Sequence, residues 1–124
     1  MRILVVDDSA LYRKILTDAA SSALGTEAVA VSNGESALKK LESEKFDLVL
    51  LDLMMPNVSG IQVLEVLRDQ GRLESLPVIM VSASNEMAGV VRCIELGAED
   101  YLTKPIRVDA LVEALMQVGA RRTT

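Results

Sequence analysis

The sequence predicts one α/β domain over residues 1–124, built on a doubly wound sheet of five parallel strands with helices on both faces. Three observations predict it. Strand-like and helix-like patterns alternate from end to end with short breaks. Several strand segments are unbroken apolar runs rich in Val, Ile and Leu, as expected of strands covered on both faces. The length, 124 residues, suits one compact domain and leaves no room for a second.

Each element follows from its local pattern. ILVV at 3–6 is the first strand. Ser9 is placed to cap a helix in which Leu11, Ile15, Ala19 and Ala23 recur every four residues, and Gly25 ends it. EAVAV at 27–31 is the second strand, and Ser32 and Glu35 have capping-box spacing ahead of Ala37, Leu38 and Leu41. DLVLL at 47–51 is the third strand. Ser59 caps the next helix, which carries Ile61, Leu64 and Leu67 and stops near Gly71. VIMV at 78–81 is the fourth strand, followed by an apolar stripe of Met87, Val90, Val91 and Ile94 on a helix ended by Gly97. DYLT at 100–103 is the short fifth strand, and Val108, Leu111, Val112 and Leu115 form the last stripe after Pro105. The tail, Arg121-Arg122-Thr123-Thr124, is expected to fray. The crossovers are expected to be right-handed.

Composition removes several classes of function. The formal net charge is −5, without the basic excess of a chain that binds nucleic acid by itself, although a DNA-binding partner domain stays open. No apolar run approaches the roughly 20 residues that span a bilayer, so no membrane association is expected. MRILVVDDS is too short and too quickly acidic for a secretory signal, which places the chain in the cytoplasm. The single cysteine, Cys93, lies in a helical apolar pattern and reads as a packing thiol. Histidine is absent, which rules out Ser-His-Asp and Cys-His nucleophilic sites, zinc sites built on imidazole, and a phosphohistidine formed on this chain. The chemistry left to it runs on carboxylates, hydroxyls, amines, backbone groups and a hard metal ion.

Such groups stand at four of the five strand ends. Asp7 and Asp8 close the first strand, Asp52 the third and Ser82 the fourth, and Lys104 lies just past the fifth. In open α/β sheets, ligands bind outside the carboxyl ends of the strands, where strand order reverses. Taken singly, Asp7 and Asp8 can simply start a helix, Asp52 and Lys104 can be turn residues, and Ser82 a strand-end hydroxyl. Gathered on one edge, the three carboxylates repel unless a cation intervenes. Mg²⁺ (or Mn²⁺) fits, since it accepts one or two carboxylates together with waters and a phosphate oxygen. A metal, the Lys104 ammonium and the Ser82 hydroxyl around Asp52 make a phosphoryl-transfer site with Asp52 as nucleophile.

The motifs VVDDS at 5–9, LLDLMMPNVSG at 50–60, VSAS at 81–84 and GAEDYLTKP at 97–105 resemble the receiver domain of two-component response regulators, a flavodoxin-like family with strand order 2-1-3-4-5. The resemblance runs through essentially the whole chain and implies roles position by position. Asp52 would accept a phosphoryl group from a histidine kinase or a histidine phosphotransfer protein. Asp8 would be the main metal acid, with Asp7 assisting and the carbonyl of Met54 as a third contact. Ser82 occupies the position where the family has Thr or Ser, and Lys104 that of the lysine paired with the phosphoryl group. Tyr101 would be the switch aromatic, turning inward as the hydroxyl is drawn to the phosphate. Lys104-Pro105 matches a cis peptide bond.

Met54 and Ser84 stand where the family tunes access of water to the acyl phosphate. Phosphorylation would shift the surface of the fourth helix, fifth strand and fifth helix, where Arg92, Glu95, Arg107 and Glu113 are expected to be exposed. An unknown target protein, a further effector domain and a phosphorylation-dependent homodimer are the outputs left open.

Two other classes of function compete. A small Mg²⁺-dependent phosphatase using an aspartyl-phosphate normally has an acid two residues after its nucleophile, where this chain has Met54. A docking module that no longer accepts phosphate would lack the acidic pair, the acceptor or the lysine, and all are present. Gly89, inside the fourth helix, reads either as a tolerated surface glycine or as a device that keeps this helix loosely held.

Overall fold

The computed structural model describes residues 1–123, with side chains described through residue 120. The chain runs β1 (Arg2–Val6), α1 (Ala10–Leu24), β2 (Glu27–Val31), α2 (Gly34–Ser43), β3 (Leu48–Leu51), α3 (Gly60–Asp69), β4 (Val78–Ser82), α4 (Met87–Leu96), β5 (Asp100–Thr103) and α5 (Val108–Thr123). All neighbouring strands pair in parallel, in the order β2-β1-β3-β4-β5. The expected five-stranded doubly wound sheet is therefore the fold observed.

A residue period of two divides the core between the faces of the sheet. Ile3, Val5, Leu48, Leu50, Ile79 and Val81 pack with Leu16, Ala20, Leu111 and Leu115 of α1 and α5. The alternate residues Leu4, Val6, Val49, Leu51, Val78 and Met80 pack with Ala37, Leu41, Val63, Leu64, Cys93 and Leu96 of α2, α3 and α4. Cys93 is fully buried, as a packing thiol should be.

Capping fixes where several helices begin and end. Ser9 Oγ accepts from Tyr12 N, and Gly25 closes α1. Ser59 and Gln62 form a reciprocal capping box at α3. The start of α2 differs from expectation. Asn33, with extended backbone, is the cap and its Oδ1 accepts from Ser36 N at 2.8 Å, because Ser32 lies one residue too early.

The apolar stripes of three helices are also corrected. In α1, Leu11 is exposed and the buried face is Leu16, Ala19 and Ala20, since a strict four-residue spacing drifts by about 40° per step from the helical period. In α4, Met87, Val91 and Ile94 lie on the surface, Met87 at 73% exposure, and Cys93 and Leu96 face the core instead. Val108 at the start of α5 is exposed, while Leu111 and Leu115 are buried. The expected fraying of the tail falls on residues that are only partly described: α5 extends to Thr123, and Thr124 lies outside the described residues.

Candidate functional site

Strand order reverses between β1 and β3, and Asp7 and Asp52 follow these two strands directly. Each of the residues that follow β1, β3 and β5 extends the ladder by one step. Asp7 N donates to Val31 O at 3.2 Å, Asp52 N to Val6 O at 2.9 Å and Lys104 N to Ser82 O at 2.8 Å. The alternation of the strands then sorts the side chains. Asp7, Asp52 and Lys104 share the parity of Ile3, Leu50 and Leu102 and fall on the α1/α5 side. Ser82 and Tyr101 share the parity of Met80 and fall toward α4.

Among the described residues, the buried polar or charged side chains are Asp7 at 0% exposure, Asp52 at 3% and Ser82 at 0%, all at this edge. Oxygens of Asp7, Asp8 and Asp52 lie within 4.8 Å of one another, with Asp8 exposed. Lys104 Nζ is 2.9 Å from Asp7 Oδ2 and 3.4 Å from Asp52 Oδ2. The Asp7 contact is an ion pair by distance only: its angle is outside hydrogen-bond geometry, so Asp7 Oδ2 is buried without a hydrogen bond. Asp7 Oδ1 accepts from Ser9 N at 2.9 Å, and Asp52 Oδ1 from Met54 N at 3.1 Å.

Burial pushes the Asp52 carboxyl above the usual carboxylate range; Lys104 and the Met54 N–H oppose this, and the Asp7 charge adds to it. Burial acts against the Lys104 charge too, but the contacts with Asp7 and Asp52 outweigh it and its pKa is raised. Tyr101 is raised, chiefly by burial. The peptide bond Lys104-Pro105 is cis, as expected.

Ser82, Ser84 and Tyr101 form a chain of hydrogen bonds. Ser84 N donates to Ser82 Oγ at 3.3 Å, and Tyr101 Oη donates to Ser84 O at 2.6 Å. The half-buried Tyr101 ring packs on the α4 side of the core. The backbone of Ser84 thus links the strand-end hydroxyl to the aromatic, a connection that depends on loop geometry and has no sequence signal.

Two glycines seat the β3–α3 loop, which carries Met54. A Cβ on Gly60 would stand 2.2 Å from Asp52 O and 2.8 Å from Leu53 Cα, and one on Gly34 would stand 2.6 Å from Val58 O. Either contact is too close for any side chain. Beside Asp8 the loop borders a groove of about 370 Å³ lined also by Ser32, Asn33, Glu35 and Asn57. A groove of about 380 Å³ lined by Met1, Leu48, Pro77 and Val118 lies at the opposite, amino-terminal end of the strands, remote from these groups.

Fold and edge together define a flavodoxin-like protein with a lysine-paired acidic cluster at its topological switch point. The family model for the response regulator receiver domain matches residues 3–116. The chain is 40% identical over 119 residues to the alkaline phosphatase synthesis transcriptional regulatory protein PhoP of Bacillus subtilis (strain 168), covering 94% of this chain and 48% of that protein. It is 42% identical over 108 residues to protein-glutamate methylesterase/protein-glutamine glutaminase of the same organism, covering 85% of this chain and 29% of that enzyme. Among solved structures, the Francisella response regulator 1452 receiver domain matches with a TM-score of 0.87 at 28% identity, over 99% of this chain and 98% of that one. A CheY-like receiver domain protein from Methanospirillum hungatei JF-1 matches with a TM-score of 0.89 at 25% identity, over 98% and 95%.

The chain belongs to the response regulator receiver domain family, the phospho-accepting switches of two-component signal transduction. Domains of this family interact with histidine kinases and effectors. The chain spans about half or less of the length of the curated relatives it matches. Among the described residues, no helix is long and apolar enough to cross a membrane.

Proposed function

We propose that this chain is a receiver unit over residues 1–124 in which Asp52 accepts the phosphoryl group. The observation that carries the reading is a buried carboxylate at the switch point, with Lys104 Nζ 3.4 Å away and Asp7 and Asp8 beside it. An Asp52 oxygen attacks the phosphorus of a phosphohistidine on a histidine kinase or a histidine phosphotransfer protein. The P–O bond forms as the P–N bond breaks, and the leaving imidazole nitrogen keeps the bonding pair and takes up a proton. Lys104, a mobile point charge, follows the phosphoryl oxygens, and Ser82 offers them its hydroxyl. Attack of water on the same phosphorus breaks the bond to Asp52 and resets the domain. Met54, two residues after Asp52, offers no acid for turning over a foreign substrate, which favours a switch over a phosphatase.

The donor set suits a hard divalent cation. Three carboxylates converge, and Asp7 Oδ2 is buried without a hydrogen bond. Asp7, Asp8, Asp52 and the Met54 carbonyl would hold Mg²⁺ (or Mn²⁺), which when bound supplies positive charge to the phosphoryl oxygens. Phosphorylation brings about −1.5 to −2 of charge to the edge. Lys104 and Ser82 follow it, the Ser84 backbone moves with Ser82, and Tyr101 moves with Ser84. That sequence shifts the α4–β5–α5 surface, where Arg92, Glu95, Arg107 and Glu113 are exposed, toward a target protein, an effector domain or a second phosphorylated copy. The setting is cytoplasmic.

Incubation with Mg²⁺ and acetyl phosphate tests the central step by intact mass. One added phosphoryl group, absent in Asp52→Asn, is the expected result. No adduct with donor, metal and a cognate kinase all present would overturn it.

A further inference from the structure

We infer that Tyr12 is a positioning residue for Lys104, its ring face holding the ammonium over Asp52 by a contact that does not depend on Asp7. This deepens the phospho-acceptor reading and rests on it. Lys104 Nζ lies 4.2 Å from the centroid of the Tyr12 ring, a distance at which the negative face of the ring attracts a cation. The parity of the sheet makes this meeting possible, since Lys104 falls on the α1 side and Tyr12 stands in the first turn of α1.

Lys104 therefore has three partners: Asp7, Asp52 and the ring. Its four-carbon stem is flexible, so these contacts decide where the charge sits. Two of them change during the reaction. A cation drawn to the acidic cluster weakens the hold of Asp7 on the ammonium, and phosphorylation converts Asp52 into an acyl phosphate. The ring alone keeps the same charge distribution throughout. It also covers Lys104, whose side chain is only 11% exposed.

The backbone that carries the ring is tied to the segment that presents Asp7. Ser9 N donates to Asp7 Oδ1, Ser9 Oγ accepts from Tyr12 N, and the Arg13 guanidinium donates to Asp7 O at 2.7 Å. These bonds set where the Tyr12 backbone stands relative to Asp7, while the contact between the ring and Lys104 is made by the ring itself.

The test compares Tyr12→Phe, which keeps the ring, with Tyr12→Leu, which keeps an apolar side chain without it. Phosphoryl uptake from acetyl phosphate with Mg²⁺ is followed by intact mass, and the Lys104 Cε protons are followed by NMR. A proton above a ring face is shifted to high field, and a filled space without a ring leaves no such signature. The wild type and Tyr12→Phe are expected to show the shift, and Tyr12→Leu to lose it. Uptake by Tyr12→Leu is expected to fall about five-fold, within the range of a partly desolvated cation–π contact, with most of the rate restored in Tyr12→Phe. Wild-type uptake in Tyr12→Leu, or an equal loss in both variants, would overturn the inference. Normal uptake without the high-field shift in the wild type would overturn it alone, whereas no uptake by the wild type would overturn the phospho-acceptor reading as well.

Discussion

Asp52 shows at the scale of one residue how the fold sets up a charge for use. Burial raises its pKa, the neighbouring Asp7 charge adds to the effect, and Lys104 and one backbone N–H only partly offset it. An acid with a raised folded-state pKa makes the fold less stable as pH rises from the unfolded value through the folded one, and that deficit is fully present above it. Asp52→Asn is therefore expected to melt several degrees higher than the wild type at pH 7 without metal, each kcal/mol being worth about 4 °C at this length. The gap is expected to shrink on acidification below pH 7, as Asp52 becomes neutral in the wild type as well. Thermal melts in chelator across this range check both points; a gap that is absent at pH 7 or grows on acidification contradicts the account. In the proposed function, the same unrelieved charge is what a metal ion and Lys104 would compensate.

Elements differ in how tightly they are held, and the glycines mark the difference. Gly60 is the first residue of α3 and lies against the carbonyl of Asp52, so a methyl group there must displace the end of β3 or the loop carrying Met54. Gly60→Ala is expected to lower stability by about 2 kcal/mol, as overpacking does, and to weaken Mg²⁺ binding several-fold, checked by denaturant melts and calorimetric titration. Gly89 in α4 has no such constraint. An added Cβ would meet Leu53 Cδ2 at 3.7 Å, an ordinary contact. Gly89→Ala is expected to stabilise the protein by about 1 kcal/mol through helix propensity alone. It is also expected to slow amide exchange in α4; equal protection of wild type and variant there would remove the idea that Gly89 keeps the helix loose. The start of α4 has no side-chain cap, and its exposed flank is joined to α3 by the pair Arg92–Glu65 at 3.2 Å. The start of α4 is thus less constrained than the β3–α3 loop, while the Arg92–Glu65 pair ties its exposed flank to α3.

Across the whole molecule, the proposed function divides the sheet into a face that would position the chemistry and a face that would relay it. Asp7, Asp52, Lys104 and Tyr12 belong to the α1 side, and Ser82 and Tyr101 to the α4 side. With Mg²⁺ and the phosphoryl mimic beryllofluoride, amide exchange is expected to change in residues 83–103 and to stay unchanged in the middle of α2, as mass spectrometry of peptic peptides will show. A change spread evenly over the chain would contradict this division. Much of the architecture was legible in the sequence because burial on both sheet faces leaves continuous apolar runs, and a strand-end acid is conspicuous after such a run. Asp7, Asp8, Asp52, Ser82 and Lys104 could therefore be placed at one edge from their order alone. The Asn33 cap, the exposed stripe of α4 and the shifted face of α1 were misread because cap choice turns on one residue's dihedral angles and a helix shows its neighbours only the side that packing selects. Sequence by itself determined the element order, the apolar strands and the residue types at their ends. Only the tertiary structure decided that Tyr12 stands over Lys104, that Ser84 joins Ser82 to Tyr101 and that Gly60 lies against Asp52. The physical reason is that these contacts are set by backbone dihedrals in the loops and by strand parity, between neighbours in the chain as well as between distant segments, and no residue pattern encodes them.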